Sequence, residues 1–254
     1  MSSKVIIYAE RLQNLPLEKA QIFTIASFFL AKQIKFQFEQ INNVEHVSND
    51  GIYPLFSIDS KLYSGIENAK SCIEDYNNRT SMSDQNIQGK TLVERIQFHN
   101  EIILFNYLKS FFENIYLYEQ WMSEGVRQTK SNFIKRYTWP LNRILWLIKE
   151  RAVKNFMTLS YFKESKQDLV KEFEVLCTHL NNNIEDTFLF NKSTPHELDL
   201  LVYGFITVLQ HYPNYFETYI GIISKFPKIN QLLLRINVIN SDILGFWKKH
   251  LFNL

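Results

Sequence analysis

The order of apolar and polar positions predicts alternating strands and helices over residues 1–78. Residues 5–8 are apolar and rich in β-branched side chains, and residues 34–38 alternate apolar with polar side chains, the period of a half-buried strand. Between them, residues 17–31 carry apolar side chains at helical spacing. The first elements are therefore predicted in the order β-α-β.

A polar loop over residues 42–51 leads to Pro54 at the start of the next predicted strand, residues 55–58. A short strand at residues 62–63 and a helix over residues 66–76 follow. A strand-initial proline reached from a long loop is typical of thioredoxin-like domains, in which its peptide bond is cis. A trans proline that only starts a strand is the alternative, and the order of elements favours the cis form, which makes Pro54 a fold-defining residue.

The pattern becomes almost wholly helical after residues 77–90, which are rich in Asn, Ser and Gln and are predicted to form an exposed connector. We predict a thioredoxin-like domain over residues 1–78 and an all-helical domain over residues 91–254, an α/β plus all-α layout like that of glutathione transferases. The predicted helices of the second domain cover residues 92–122, 139–159, 166–181, 195–211, 215–225 and 237–252.

Composition narrows the possible functions. Of the 254 residues, 46% are hydrophobic and 21% charged, which suits a globular chain with a buried core. The net charge is +2, and Lys and Arg are interspersed with Asp and Glu, so we expect no nucleic-acid partner. Cys72 and Cys177 are too few for a disulfide framework, indicate a reducing compartment, and are expected to be buried.

Membrane association is expected to be peripheral. Residues 1–13 lack the features of a signal or transit peptide. The most apolar stretches, residues 22–31 and 198–209, are shorter than the roughly 20 apolar residues that span a bilayer.

Cofactor sites are not predicted. The seven glycines form no GxGxxG or Walker pattern, and the six histidines lie far apart. Cys177 and His179 would point in different directions on a helix. We therefore expect no nucleotide, metal or other cofactor.

Glutathione chemistry is the enzymatic candidate, because it matches the layout. Such an enzyme needs a Tyr, Ser or Cys near the first strand to stabilise a thiolate, and Tyr8 is the candidate. A strand-end aromatic is the alternative interpretation of Tyr8. Glutathione transferases also present an acid-Ser pair at a helix N-terminus, where this chain has Ser64, Gly65 and Ile66 without the carboxylate.

Three segments of the helical half resemble the metaxin family, most closely its second branch. Residues 137–145 read Tyr-Thr-Trp-Pro-Leu-Asn-Arg-Ile-Leu, and residues 187–192 with 197–204 read Thr-Phe-Leu-Phe-Asn-Lys and Glu-Leu-Asp-Leu-Leu-Val-Tyr-Gly. Residues 244–252 form a final basic-aromatic segment. The order and spacing of the segments agree with the family.

The resemblance implies a non-enzymatic subunit of the mitochondrial outer-membrane sorting and assembly machinery. Such a subunit lies on the cytosolic face, assists import and insertion of β-barrel precursors, and has an anchored metaxin and the β-barrel assembly core as partners. It needs no cofactor or small-molecule substrate. The alternatives are a soluble glutathione transferase-like enzyme that uses Tyr8 and a transferase-like adaptor of another complex.

The start of the predicted helix over residues 195–211 has two interpretations. Thr194 and Glu197 can form a capping box around a proline at the first helical position. The resemblance implies instead that Asp199 is the acid of the capping box and that His196 stands where the box has a Ser or Thr hydroxyl. In that case the Asp199 carboxylate stabilises the helix through its interaction with the helix dipole. Thr194, Glu197 and Asp199 are therefore fold-defining candidates.

The Trp-Pro-Leu-Asn segment has a structural and a partner-binding interpretation. In the first, the proline starts a helix and the tryptophan packs across its entrance; in the second, the segment contacts a partner. Its members are Trp139, Pro140, Leu141 and Asn142. The apolar positions that follow are expected in the core: Trp146, Ile148, Val153 and Phe156.

Overall fold

A computed structural model describes most of the chain, namely residues 4–10, 15–41, 44–48, 53–80, 92–135, 137–159, 165–184, 188–189 and 194–239. Within these residues four strands form: β1 (Val5–Glu10), β2 (Phe36–Ile41), β3 (Leu55–Ile58) and β4 (Lys61–Ser64). The helices of the described residues are α1 (Pro16–Ala31), α2 (Val44–Val47), α3 (Ile66–Thr80), α4 (Leu92–Trp121), α5 (Val126–Ile134), α6 (Leu141–Leu159), α7 (Lys166–Asn183), α8 (Glu197–His211), α9 (Pro213–Ile223) and α10 (Pro227–Ile239).

The strands form one mixed sheet in the order β2-β1-β3-β4. β1 pairs parallel with β2 and antiparallel with β3, which pairs antiparallel with β4. The Tyr53–Pro54 peptide is cis, as predicted, and the Pro54 carbonyl accepts from the Gly65 N–H at 2.8 Å. The sheet and the helices after it confirm the predicted fold class, a thioredoxin-like part followed by an all-helical part.

Helix α1 lies at the centre of the main core, where it packs against α3, α4, α8 and β1. Its buried hydroxyl groups form hydrogen bonds within the helix; Thr24, for example, donates to the Ala20 carbonyl at 2.8 Å. Gly204 of α8 faces Thr24 so closely that a Cβ there would lie 2.1 Å from Thr24 Oγ1 and 2.9 Å from its Cα. The contact between α1 and α8 therefore requires a glycine at position 204.

Helix α6 belongs to a second, smaller cluster. The ring of Trp146 packs with Trp121 of α4 and Phe133 of α5, at centroid distances of 5.0 and 5.8 Å. Leu15 completes the buried part of the cluster. These contacts hold α6 against α4 and α5 along one side of the helix.

Several predicted boundaries are wrong. α5 and α10 were not predicted, and α2 lies within the loop predicted over residues 42–51. α5 is nine residues long, mainly polar, and buries only Thr129 and Phe133, so few apolar residues mark it in the sequence. The predicted final helix overlaps α10 only at residues 237–239, and residues 240–254 lie outside the described part of the chain.

The predicted connector is helical at its start, because α3 continues to Thr80. Residues 81–91 lie outside the described residues, and α4 begins at Leu92. The domain limits at residues 78 and 91 stay predictions.

Candidate functional site

The Trp-Pro-Leu-Asn segment forms the turn that begins α6. The Trp139–Pro140 peptide is cis. The Thr138 carbonyl accepts from the Asn142 N–H at 3.1 Å, and the Pro140 carbonyl accepts from the Arg143 N–H at 3.1 Å. The helix begins at Leu141, two residues after the predicted start.

The four side chains of this segment do not share one environment. Trp139 is 74% exposed and Leu141 is 47% exposed. Asn142 is half-buried, and its Nδ2 lies 3.5 Å from the Ile134 carbonyl at the end of α5. The expected packing of Trp139 across the helix entrance is wrong. Tyr137 takes that position instead, because its ring packs 6.0 Å from Phe133 in the smaller aromatic cluster.

The outer face of α6 is apolar, and we define it by Leu141, Ile144, Leu147 and Ile148. These side chains are 47%, 51%, 63% and 61% exposed. At 100° per residue they lie within about 120° of the helix circumference, opposite the buried Trp146. Together with Trp139 they form a continuous exposed apolar surface along the first half of α6.

The core predicted along this helix is therefore confirmed in part. Trp146 is 2% exposed, as expected, and Val153 is half-buried. Ile148 and Phe156, at 61% and 55% exposure, are not core residues. The physical reason is that α6 has apolar residues on most of its circumference, while α4 and α5 cover only one side.

Positive charge concentrates in the same part of the chain. Residues 126–159 contain eight Lys or Arg and a single Glu, a net charge of +7 within a chain whose net charge is +2. Glu150 is bonded to Lys154 at 2.7 Å, and that bond holds the pKa of the Glu150 carboxyl below its usual range. The expected interspersion of charges does not hold here. A running charge count over the sequence would have found this segment.

The N-terminus of α8 resolves the two interpretations of its cap. His196 is the N-cap residue, and Asp199 accepts from the His196 N–H at 2.7 Å and from the Leu189 N–H at 2.8 Å. Thr194 lies before the helix and is exposed, and Glu197 pairs with Lys70 at 3.1 Å. The capping box of Thr194 and Glu197 is therefore wrong, and Asp199 is the capping acid.

An imidazole replaces the hydroxyl in this box. His196 Nδ1 lies 3.5 Å from the Leu198 N–H, and its Nε2 lies 3.4 Å from a Glu101 carboxylate oxygen. Asp199 is fully buried, so its two charge-assisted bonds fix the segment around Leu189 against the start of α8.

A cleft of about 360 Å³ lies beside Tyr53, Gly65 and the first turn of α3. Lys109 of α4 reaches into it and pairs with Glu67 and, at 3.7 Å, with Glu113. The Lys109 ion pairs thus link α3 and α4 across the cleft.

Gln21 also pairs with a carboxylate of the cleft. Glu113 accepts from Gln21 Nε2 at 2.7 Å, and burial raises the pKa of the Glu113 carboxyl. Tyr8 is not among the residues that line the cleft, and its hydroxyl lies 3.2 Å from Ser57 Oγ. The structure therefore does not bring Tyr8 together with the residues of the cleft.

Other candidate chemistry is sparse. Within the ranges that the structure describes, no group of three or more His, Cys, Asp or Glu could hold a metal ion. In the same ranges no helix is long and apolar enough to cross a membrane. Cys177 is buried, as predicted, and burial raises its thiol pKa to about 12, whereas Cys72 is half-buried.

Known proteins share both sequence and fold with this chain. No protein-family model matches it. It is 24% identical over 166 residues to Metaxin-2 of Homo sapiens and, equally, to Metaxin-2 of Mus musculus. These matches cover 64% of the chain and 59% of each relative, so the chain spans less than two thirds of the relatives' length.

A solved structure extends the comparison to the fold. The β-etherase LigF from Sphingobium sp. strain SYK-6 aligns with a TM-score of 0.53 at 13% identity, over 96% of this chain and 99% of that one. At that identity the likeness concerns the fold alone. In sequence the chain resembles the metaxin family, as its segments indicated.

Proposed function

We propose that this protein is a non-enzymatic subunit of the mitochondrial outer-membrane sorting and assembly machinery. It lies on the cytosolic face and assists import and insertion of β-barrel precursors. Its partners in this proposal are an anchored metaxin and the β-barrel assembly core. The observation that carries the proposal is the exposure of Trp139 and Leu141, in a segment that resembles the metaxin family.

The exposed segment has the physical properties of a contact surface for another protein. Trp139 is 74% exposed, and tryptophan is enriched among the residues that dominate binding energy at interfaces. Removal of apolar surface from water contributes about 25 cal/mol for each Å². Burial of Trp139 and Leu141 against a partner would therefore supply part of the binding free energy.

The support beneath this surface is rigid. Asn142 turns inward toward the end of α5, and Trp146 is buried one turn later in the smaller aromatic cluster. A contact surface fixed before binding loses less conformational entropy when the partner docks. The Trp139 turn thus meets the requirement for a preorganised interface.

The cleft supports a non-enzymatic role. Lys109, Glu67 and Glu113 pair with one another there, and the Tyr8 hydroxyl lies against Ser57. A transferase that uses Tyr8 remains the alternative function. Retention on glutathione resin with elution by free glutathione would favour that enzyme, and loss of retention in Tyr8→Phe would assign the role to the hydroxyl.

Affinity purification of the tagged protein from gently solubilised cells tests the proposal, with mass spectrometry and mitochondrial fractionation. We expect an anchored metaxin and the barrel-assembly core to be recovered from the outer-membrane fraction. We expect Trp139→Ala to lower that recovery, and Leu234→Ala, on the exposed part of α10, to leave it unchanged. Residence away from mitochondria with neither partner recovered would overturn the proposal.

A further inference from the structure

We infer that Ile144, Leu147 and Ile148 of the outer face of α6, with the cations around them, dock directly onto an anionic lipid bilayer, while Trp139 and Leu141 remain available to a protein partner. The proposed function brings the protein to the membrane through a protein partner, whereas this contact requires no partner. The inference rests on an exposed aliphatic face and a concentration of positive charge that coincide on one helix.

The apolar part of this surface is aliphatic and accessible. Ile144, Leu147 and Ile148 are each more than half exposed, and Ala152 extends the face by a further turn. A helix that lies in the plane of a bilayer inserts such a face to a depth of about 5–10 Å into the boundary between headgroups and acyl chains. The side chains here are already positioned for that insertion.

The cations flank the apolar face. Arg143 and Lys154 lie along one border of it, Arg151 lies within its exposed half, and all three side chains are exposed. Long basic side chains at the border of an apolar face can keep their charge at the headgroups while their stems lie along the lipid. This arrangement is typical of interfacial amphipathic helices.

The neighbouring helix also carries positive charge. α5 has exposed Arg127 and Lys130, and exposed Lys135 follows its last residue; Lys130 lies 5.8 Å from the centroid of the Trp146 ring, on the side of α6 opposite the outer face. Glu150 is the single carboxylate of residues 126–159, and Lys154 pairs with it. The positive field of α5 and α6 is thus nearly unopposed within this segment.

The distribution of charge also favours one orientation at a membrane. Because residues 126–159 carry a net charge of +7 and the whole chain +2, the remainder of the chain has a net charge of −5. An anionic surface therefore attracts α5 and α6 and repels the rest of the molecule. The attraction is worth about fivefold in affinity for each Lys or Arg near the surface.

A bilayer fits these observations better than a nucleic acid. Phosphate backbones are bound by basic and polar groups, and a row of exposed aliphatic side chains has no partner on them. Acyl chains, in contrast, accept Ile144, Leu147 and Ile148 without specific geometry.

Co-sedimentation of the purified full chain with vesicles tests the inference in the absence of any other protein. One set of vesicles contains phosphatidylcholine alone, and the other contains about one-third phosphatidylserine. We expect binding to the anionic vesicles at about 0.1 M salt and weak binding to the neutral ones. It should decline at about 1 M salt, where the screening length falls from about 10 Å to about 3 Å.

Variants separate the two parts of the surface. We expect Arg143→Gln and Arg151→Gln to lower the affinity about fivefold each and about 25-fold together. Ile148→Asn removes an inserted side chain and should lower the affinity about tenfold or more. The matched control combines Lys225→Gln and Leu234→Asn, which remove an exposed cation and an exposed aliphatic residue elsewhere, and it should bind as the wild type does.

Circular dichroism confirms that each variant is folded before vesicles are added. A folded wild-type chain that does not bind anionic vesicles overturns the inference and leaves the α6 face as a protein-binding surface. Equal loss of binding in the control variant overturns it as well, because binding would then not depend on α6. Neither outcome affects recovery of the proposed partners from mitochondria, so the two proposals fail separately.

Discussion

The indole rings of Trp121 and Trp146 stack, with centroids 5.0 Å apart and planes inclined by 16°. Trp121 ends α4 and Trp146 lies in the second turn of α6, so this stack attaches α6 to the long helix of the helical part. Attachment through one side leaves the opposite side of α6 in solvent. The exposure of Ile144, Leu147 and Ile148 follows from that geometry.

Replacement of Trp146 should destabilise the protein far more than replacement of Trp139. Trp146 is 2% exposed, and loss of a buried aromatic side chain costs about 3–5 kcal/mol in the free energy of unfolding. Trp139→Ala, at a position 74% exposed, should change it by less than about 0.5 kcal/mol. Urea unfolding measures both, and equal losses would show that Trp139 is packed rather than free to bind.

Gly204→Ala should destabilise the contact between α1 and α8. A Cβ at position 204 would lie 2.9 Å from the Thr24 Cα, so the two helices must move apart, at a cost of about 3 kcal/mol. Gly221→Ala is the matched control in α9, where nothing lies within 4 Å of an added Cβ. It should stabilise the protein by about 0.5 kcal/mol through helix propensity.

Thermal or urea unfolding distinguishes these two glycine variants. A destabilisation of the same size in both would mean that Gly204 matters only for its backbone freedom. A loss confined to Gly204→Ala would establish the close approach of α1 and α8.

Removal of the Asp199 carboxylate should weaken the start of α8. Asp199→Ala leaves the N–H groups of Leu189 and His196 without their charged acceptor in a buried position, which should cost about 3 kcal/mol. Thr194→Ala, at an exposed residue before the helix, should cost less than about 0.5 kcal/mol. A larger loss of unfolding free energy for Thr194→Ala than for Asp199→Ala would contradict this assignment and support the capping box of Thr194 and Glu197.

Stability should rise with pH between about 8 and 10 because of Lys19. Burial lowers the pKa of the Lys19 ammonium from 10.5 to about 8. Between these values the unfolded chain binds a proton that the folded chain has lost, so the free energy of unfolding increases as pH rises. The increase from pH 7.5 to 9.5 should be about 2 kcal/mol.

Two variants test the assignment to Lys19. Lys19→Met should remove the rise, and Lys225→Met, at an exposed lysine two residues after α9, should retain it. Above about pH 10 the trend should reverse, because burial raises the pKa of Tyr215 and other phenols. These phenols lose their protons at lower pH in the unfolded chain than in the folded one, so the free energy of unfolding falls as pH rises further. A rise that persists in Lys19→Met would assign the pH dependence to another group.

The sequence predicted the fold to the extent that periodic patterns reflect burial. The residues of β2 alternate with a clear period, and Pro54 occupies the position expected of a cis proline. α1 is buried on most of its circumference, so its length and apolar content indicate it rather than a one-sided period. α5 was missed because it is nine residues long and mainly polar, with two buried residues. The sequence leaves two interpretations of the α8 cap open because Thr194 and Pro195 are strong local signals, and the tertiary bond of buried Asp199 decides between them.

The candidate site could be predicted only in part. The resemblance selected Trp139, Pro140, Leu141 and Asn142, but a sequence pattern does not show which apolar side of a helix is covered. Ile148 and Phe156 were assigned to the core because α6 is apolar on most of its circumference, and only the placement of α4 and α5 distinguishes its two sides.

Photo-crosslinking from position 139 in isolated mitochondria tests the central claim most directly. A photoreactive residue replaces Trp139 in one variant and Leu234, 64% exposed on α10, in the control. We expect crosslinks from position 139 to an anchored metaxin or to the barrel-assembly core, and none of these from position 234. Absence of such crosslinks from position 139, or equal crosslinking from both positions, would contradict it.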